Sequence, residues 1–126
     1  LNDVLKKDYN NARELLIDFG MRFMEKYSNK DLRSLLMLTM AYKDRYGRVK
    51  ERLRETCMGK MDEMFKRVEA LIGNSIPIPL RRAFFGALMC YVIWWDEDEI
   101  EPRKFVEELV NSLLNAINPQ TSQRQT

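Results

Sequence analysis

Histidine is absent from this chain, which removes the commonest general base and the commonest metal ligand. Zinc sites built from spaced Cys and His are excluded with it, and so is the inward-facing Glu-x-x-His pairing of di-iron bundles. The two cysteines, Cys57 and Cys90, fall inside apolar helical patterns and read as free, buried thiols of a reducing compartment. There is no Gly-rich phosphate loop and no Ser-His-Asp set. Val, Ile and Thr are sparse, and no alternating apolar/polar run lasts long enough for a sheet. An excess of basic charge is missing too: Lys and Arg nearly balance Asp and Glu, and the net charge of +2 is too weak for the basic face that nucleic-acid binding normally leaves. No signal peptide or targeting segment is visible. These absences lead to the expectation of a cytoplasmic protein with no enzymatic activity, no metal and no cofactor.

What is present is helix. The length of 126 residues fits one domain with a real but marginal core. Residues 83 to 95, Ala-Phe-Phe-Gly-Ala-Leu-Met-Cys-Tyr-Val-Ile-Trp-Trp, carry no charge. A surface helix needs an apolar stripe on one side only, whereas this run is apolar all round and asks for burial on every side. It is too short to span a bilayer, which takes about 20 residues. A chain of this size has little mass with which to bury it, so the expectation is one face in the protomer's core and the other against a second copy.

Five helical stretches follow from periodicity, after residues 1 to 7, which read as the end of an earlier helix. The first runs from about Asp8 to Tyr27, with Ala12, Leu15, Leu16, Phe19 and Phe23 on its inner face. The second starts at Ser28 or Asn29, where Ser28 and Asp31 resemble a capping box, and its leucines and methionines suggest a largely buried helix. The third and longest, about Arg48 to Ile72, shows a stripe of Val49, Leu53, Cys57, Met61, Met64, Val68, Leu71 and Ile72 opposite a charged face. Gly59 in its middle costs about 1 kcal/mol relative to alanine; close packing, a bend or room for a ligand would each explain it. Gly73 is a natural residue to end this helix, since positive φ is open to it. Pro79 fits the first turn of the fourth helix, which holds the apolar run, and Pro102 the first turn of the fifth. That fifth helix carries Phe105, Val106, Leu109, Val110, Leu113, Leu114 and Ile117. Arg81 and Arg82 read as solvated, with pairing to the acidic stretch 96 to 101 as the alternative. The fold expected is all-α, an antiparallel bundle of about five helices over residues 1–117, followed by a polar, disordered tail over 118–126.

Eight methionines lie mostly on or beside the apolar stripes. Core filling is the plain explanation, and a deformable apolar pocket is the functional one, because flexible thioethers repack around varied shapes. Phe19, Phe23, Phe65, Tyr91 and Trp94 are candidate flat walls, and Thr39, Tyr42 or Tyr91 a polar handle.

The order Phe-Met-Glu-Lys-Tyr-Ser-Asn, Asp-Leu-Arg-Ser-Leu-Leu-Met-Leu, a long charged helix, Leu-Arg-Arg-Ala-Phe-Phe-Gly-Ala-Leu-Met-Cys-Tyr-Val-Ile-Trp-Trp and Phe-Val-Glu-Glu-Leu-Val-Asn-Ser-Leu-Leu resembles the C-terminal domain of tetracycline-repressor (TetR) family transcriptional regulators. The resemblance covers roughly residues 8 to 117. It implies that the last two helices of each protomer form a four-helix homodimer interface, and that the first four helices enclose a pocket for a small hydrophobic effector. It also implies that DNA is bound only through an N-terminal helix-turn-helix domain, which is absent from this chain. The chain, opening on Leu1, then reads as an excised effector-binding domain or as one whose first residues continue a helix from a lost head. The expected pocket walls are Phe23, Met37, Met40, Met61, Phe65, Met89 and Trp94. The expected dimer face is Phe84, Phe85, Leu88, Tyr91, Trp95, Phe105, Leu109 and Leu113. No membrane partner is expected. A helical protein–protein adaptor without a pocket is the alternative.

Overall fold

The computed structural model of the chain describes residues 2–95, 97 and 100–117. The segment 118–126 and three of the acids between 96 and 99 lie outside the described residues, so the expected tail and part of the expected acidic stretch are not placed. The fold is an all-α helical bundle, with no strand among the described residues. Its elements are α1 (Asn2–Lys6), α2 (Ala12–Tyr27), α3 (Lys30–Tyr42), α4 (Gly47–Leu53), a single π-helical turn (Arg54–Met58), α5 (Gly59–Ile72), α6 (Ile78–Ile93) and α7 (Pro102–Ile117).

The hub is α2, which packs against α7 and α5 and also meets α1, α3 and α6. Its start is fixed by Asn11, whose side chain accepts from the Glu14 amide at 2.9 Å and so satisfies one orphan donor of the first turn. The helix therefore begins after the position expected from periodicity alone. The inner face is as read from spacing: Ala12, Leu15, Leu16, Phe19 and Phe23 are all buried. Gly20 is what lets α7 come so close, because a Cβ there would stand 2.7 Å from Cγ1 of the buried Val106.

At the second start signal the cap is Asn29, not Ser28. The Asn29 side chain accepts from the amides of Asp31 and Leu32, while the Ser28 hydroxyl donates back to the Glu25 carbonyl. More consequentially, α3 is not a largely buried helix. Leu36 is its one buried residue, and Leu35 and Leu38 are 58% and 54% exposed. Leucine on several sides of a helix demands cover, and among the described residues little covers this one.

The long third helix of the sequence reading is two α-helices joined through the π turn. The Gly59 amide bonds to the Arg54 carbonyl, five residues back, and a Cβ on Gly59 would lie 3.3 Å from that same oxygen. Within the turn the Thr56 hydroxyl donates to the Arg52 carbonyl at 2.7 Å, a back-bond that tends to bend helices. The inserted residue splits the apolar stripe. Downstream, Met61, Met64, Phe65 and Val68 are buried; upstream, α4 and the π turn bury nothing.

Gly73 ends α5 at φ 73°, in the left-handed region that glycine enters without steric cost. The link to α6 is tied by one circuit. Glu69 accepts from the Ile76 amide and from Arg81 Nη2 at 2.8 Å, and Arg81 Nε donates to the Ile76 carbonyl. Arg81 is thus not simply solvated: its partner is Glu69. Between α6 and α7 the Tyr91 hydroxyl donates to the Ile100 carbonyl at 2.7 Å, and its ring meets Phe105 and Trp95.

The short α1 is held by Arg67. Its guanidinium donates to the Leu5 carbonyl at 2.6 Å and to that of Lys7, and it lies over the Tyr9 ring. The Tyr9 hydroxyl in turn donates to Asp18 Oδ2 at 3.0 Å. Burial first, then the hydrogen bond to Asp18 and the charge of Asp18, push its pKa to about 12, with Arg67 and Arg22 pulling the other way. An unfolded tyrosine ionises near pH 10. The folded state therefore holds this proton longer, and its contribution is intact below about pH 10 and drains away as the pH rises towards about 12. Urea unfolding between pH 8 and pH 11.5 should show the wild type losing stability more steeply than Tyr9→Phe; parallel losses would contradict this.

Candidate functional site

Apolar residues of α3, α4, the π turn and α6 line a groove of about 420 Å³, within the range of small-molecule sites. Its apolar surface is Met40, Leu53, Cys57, Met58 and Phe85, and its cations are Lys43, Lys50, Arg54 and Arg82. A neighbouring hollow of about 280 Å³ shares Met58, Arg82 and Phe85 with it and continues to Met61, Asp62, Lys66, Ile78 and Arg81. The π turn is what builds this place. It contributes Arg54, Cys57 and Met58, which an unbroken α-helix would carry in a different phase relative to the buried face of α5. Of the explanations for Gly59, the bend is the one this geometry favours: its missing Cβ relieves a 3.3 Å approach to the Arg54 carbonyl inside the π turn, and Gly59 itself lines neither hollow.

The electrostatics of the groove are one-sided. Among the described residues no carboxylate lines the 420 Å³ hollow. Lys43 Nζ pairs with the exposed Asp44 at 2.9 Å, and that hydrogen bond, with the charge of Lys43 and some help from Lys50, holds the Asp44 carboxyl below its usual range. The Arg82 guanidinium is directed at the thioether of Met58 (Nη1 to Sδ 2.9 Å), a weak acceptor. Behind the groove, Phe85 is backed by Phe23, ring centroids 6.2 Å apart, and Phe23 meets Tyr27 in a tilted contact at 4.8 Å. Burial pushes the Tyr27 hydroxyl up, with Cys57 adding to it.

Of the residues expected to line a pocket, Met40 and Met61 come to these two adjoining hollows. Phe23, Phe65 and Met89 are core residues instead. Met37 lines a separate hollow between α3 and the end of α6, and Trp94 lies on the outer side of the α6–α7 pair. Missed by the sequence reading were Leu53, Cys57 and Met58 as lining and Lys43, Lys50, Arg54 and Arg82 as rim. Phe85 was expected at a dimer face.

Of the residues expected at a dimer face, Phe84, Leu88, Tyr91 and Leu113 are buried within the protomer, Leu88 completely. Phe105, Leu109 and Trp95 are partly buried against the core. The side of α6 that remains open is Ala83, Gly86, Cys90, Ile93 and Trp94, of which Ile93 is 52% exposed. Cys90 is therefore an exposed thiol and Cys57 a half-buried one, where both were expected to be buried. Along this side a 410 Å³ groove runs between α6 and α7, lined by Ala87, Cys90, Tyr91, Trp94, Glu97 and Phe105. Through Leu38 and Ile93, which share a hollow, the open side of α6 continues onto the uncovered face of α3. Among the described residues no helix is long and apolar enough to cross a membrane.

Comparison of the chain with protein-family models, with curated proteins and with solved structures gave no match.

Proposed function

We propose that this chain is a homodimeric effector-sensing domain, the regulatory part of a TetR-like transcriptional regulator whose DNA contacts are made by an N-terminal helix-turn-helix domain. The observation that carries the reading is the open side of α6. An uncharged run from Ala83 to Trp95, most of it α6, leaves Ala83, Gly86, Cys90, Ile93 and Trp94 facing water, and an exposed apolar surface of this kind marks an interaction site. A two-fold related copy offers the same surface and closes the assembly. The groove at the π turn, on other faces of the same bundle, supplies a place for a small, largely apolar effector. Such an effector switches the protein only if it binds two conformations unequally.

Sedimentation equilibrium on the chain tests this directly. The expected result is a dimer at micromolar concentration, with Cys90 protected from alkylating reagents in the dimer and reactive on dilution. A monomer at all concentrations, or a dimer in which Cys90 stays fully reactive, overturns the reading in favour of a helical adaptor that meets a different protein.

A further inference from the structure

We infer that the groove at the π turn binds a small amphipathic carboxylate, an apolar chain or ring system ending in one anionic group. The inference rests on the reading of the domain as an effector sensor and deepens it by naming the ligand's chemistry. The floor is made of two thioethers, Leu53, Cys57 and the Phe85 ring, a surface suited to an alkyl or aryl body. Around it stand four cations, with no carboxylate among the described lining residues. A neutral apolar ligand would leave them without a purpose, and a cationic one would be repelled.

What sets the two arginines of the rim apart is their place beside an apolar groove. The half-buried guanidinium groups of the fold work on oxygen: Arg33 on the carbonyls of Tyr27 and Ser28, Arg67 on those of α1, Arg81 on Glu69. The exposed Arg45, Arg48 and Arg52 have no such partner among the described residues, but they do not line the groove. Arg54 and Arg82 have no oxygen acceptor among the described residues, and Arg82 meets only the Met58 sulfur. Their planar forks match a carboxylate better than the lysines do. Lys50 adds a further positive charge on the same rim, while Lys43 is already shared with Asp44. Arg82 and Met58 line both hollows, so a ligand headgroup bound at Arg82 can direct its tail into either.

The two thiols give the test its own control. Cys57 lines this groove and Cys90 lies on the open side of α6. Alkylation of each cysteine in the full chain is followed by peptide mass spectrometry with decanoate, decanol or decyltrimethylammonium, all below their micellar concentrations. Decanoate is expected to slow modification of Cys57 at least tenfold and to leave the Cys90 rate unchanged. Decanol should need at least about tenfold more for the same protection, and decyltrimethylammonium should give none. In the double variant Arg54→Gln, Arg82→Gln, both at exposed positions, the decanoate concentration for half-protection should rise about tenfold or more, the loss expected for charge-assisted hydrogen bonds. Protection of Cys57 by decanol as readily as by decanoate would overturn the anionic assignment while keeping the groove as an apolar effector site. Failure of all three probes, or protection only by anionic lipid vesicles, would overturn it outright. The concentration dependence of Cys90 labelling reports on the dimer separately, so a failed groove and a failed dimer give different results.

Discussion

Phe65→Ala is expected to lower the stability of the domain by about 3–5 kcal/mol, the usual range for truncating a buried phenylalanine to alanine. The ring is completely buried, packs edge-on against Phe84 at 5.7 Å and receives the Arg81 guanidinium at 6.0 Å. Truncation leaves a cavity at the junction of α5 and α6 that the surrounding side chains close only in part. At about 4 °C per kcal/mol for a domain of this size, the melting temperature should fall by roughly 12–20 °C. Phe65→Leu, closer in volume, should cost less than half as much. The same pair of variants decides where Phe65 works. A residue of the groove would cost ligand binding and spare stability. For a core residue the order is reversed, so decanoate protection of Cys57 in the folded protein should be little changed. Thermal unfolding and cysteine labelling of the same samples read both. A melting temperature within a few degrees of the wild type would contradict the core assignment.

Phe65 also illustrates what the sequence made legible and what it did not. Where a helix is amphipathic, spacing identifies the buried side, and the inner face of α2 is correct at each of the five residues read from its main stripe. In α6 every side is apolar, so periodicity carries no phase. The need to cover the helix was legible, but not which residues look inward. The rotation that separates Leu88 from Gly86 is set by contacts with α2 and α7, which no local pattern encodes. On α7 the stripe has two adjacent apolar rows, and the core takes Val106, Val110 and Leu113. Gly20 settles this choice, because its missing Cβ admits Val106, and a single glycine in α2 gives no hint of its partner 86 positions away. The groove was the least legible feature. A π turn adds one residue to a helix without changing the local composition, and Gly59 was its main visible mark. Its cations came from a face that spacing alone assigns to solvent. For α3 the error ran the other way, since leucine content signals a need for burial and cannot say whether the same chain meets it.

Gly86→Arg is expected to dissociate the proposed dimer while leaving the protomer folded. A Cβ on Gly86 meets nothing within 4 Å, so the protomer has room for a side chain. Glycine inside a helix costs about 1 kcal/mol relative to alanine, and arginine is a good helix former. For an isolated chain the substitution should therefore raise the melting temperature. Between two copies the consequences change sign. Ala83, Gly86 and Cys90 form a low ridge on which a second α6 can lie close, and a two-fold axis places each substitution in the interface twice. An unpaired charge buried there costs about 3–5 kcal/mol, so the dissociation constant should rise at least about a hundredfold. Gly86→Ala separates size from charge: it gains the helix term and adds only one methyl group to the contact. Sedimentation equilibrium at several concentrations, with thermal unfolding of the same samples, measures both quantities. A dimer of undiminished affinity in Gly86→Arg would show that copies meet elsewhere, with the exposed leucines of α3 the next surface to examine. A monomer with a lowered melting temperature would mean that the open side of α6 is needed for the fold of the single chain, and the argument for a second copy would fail with it.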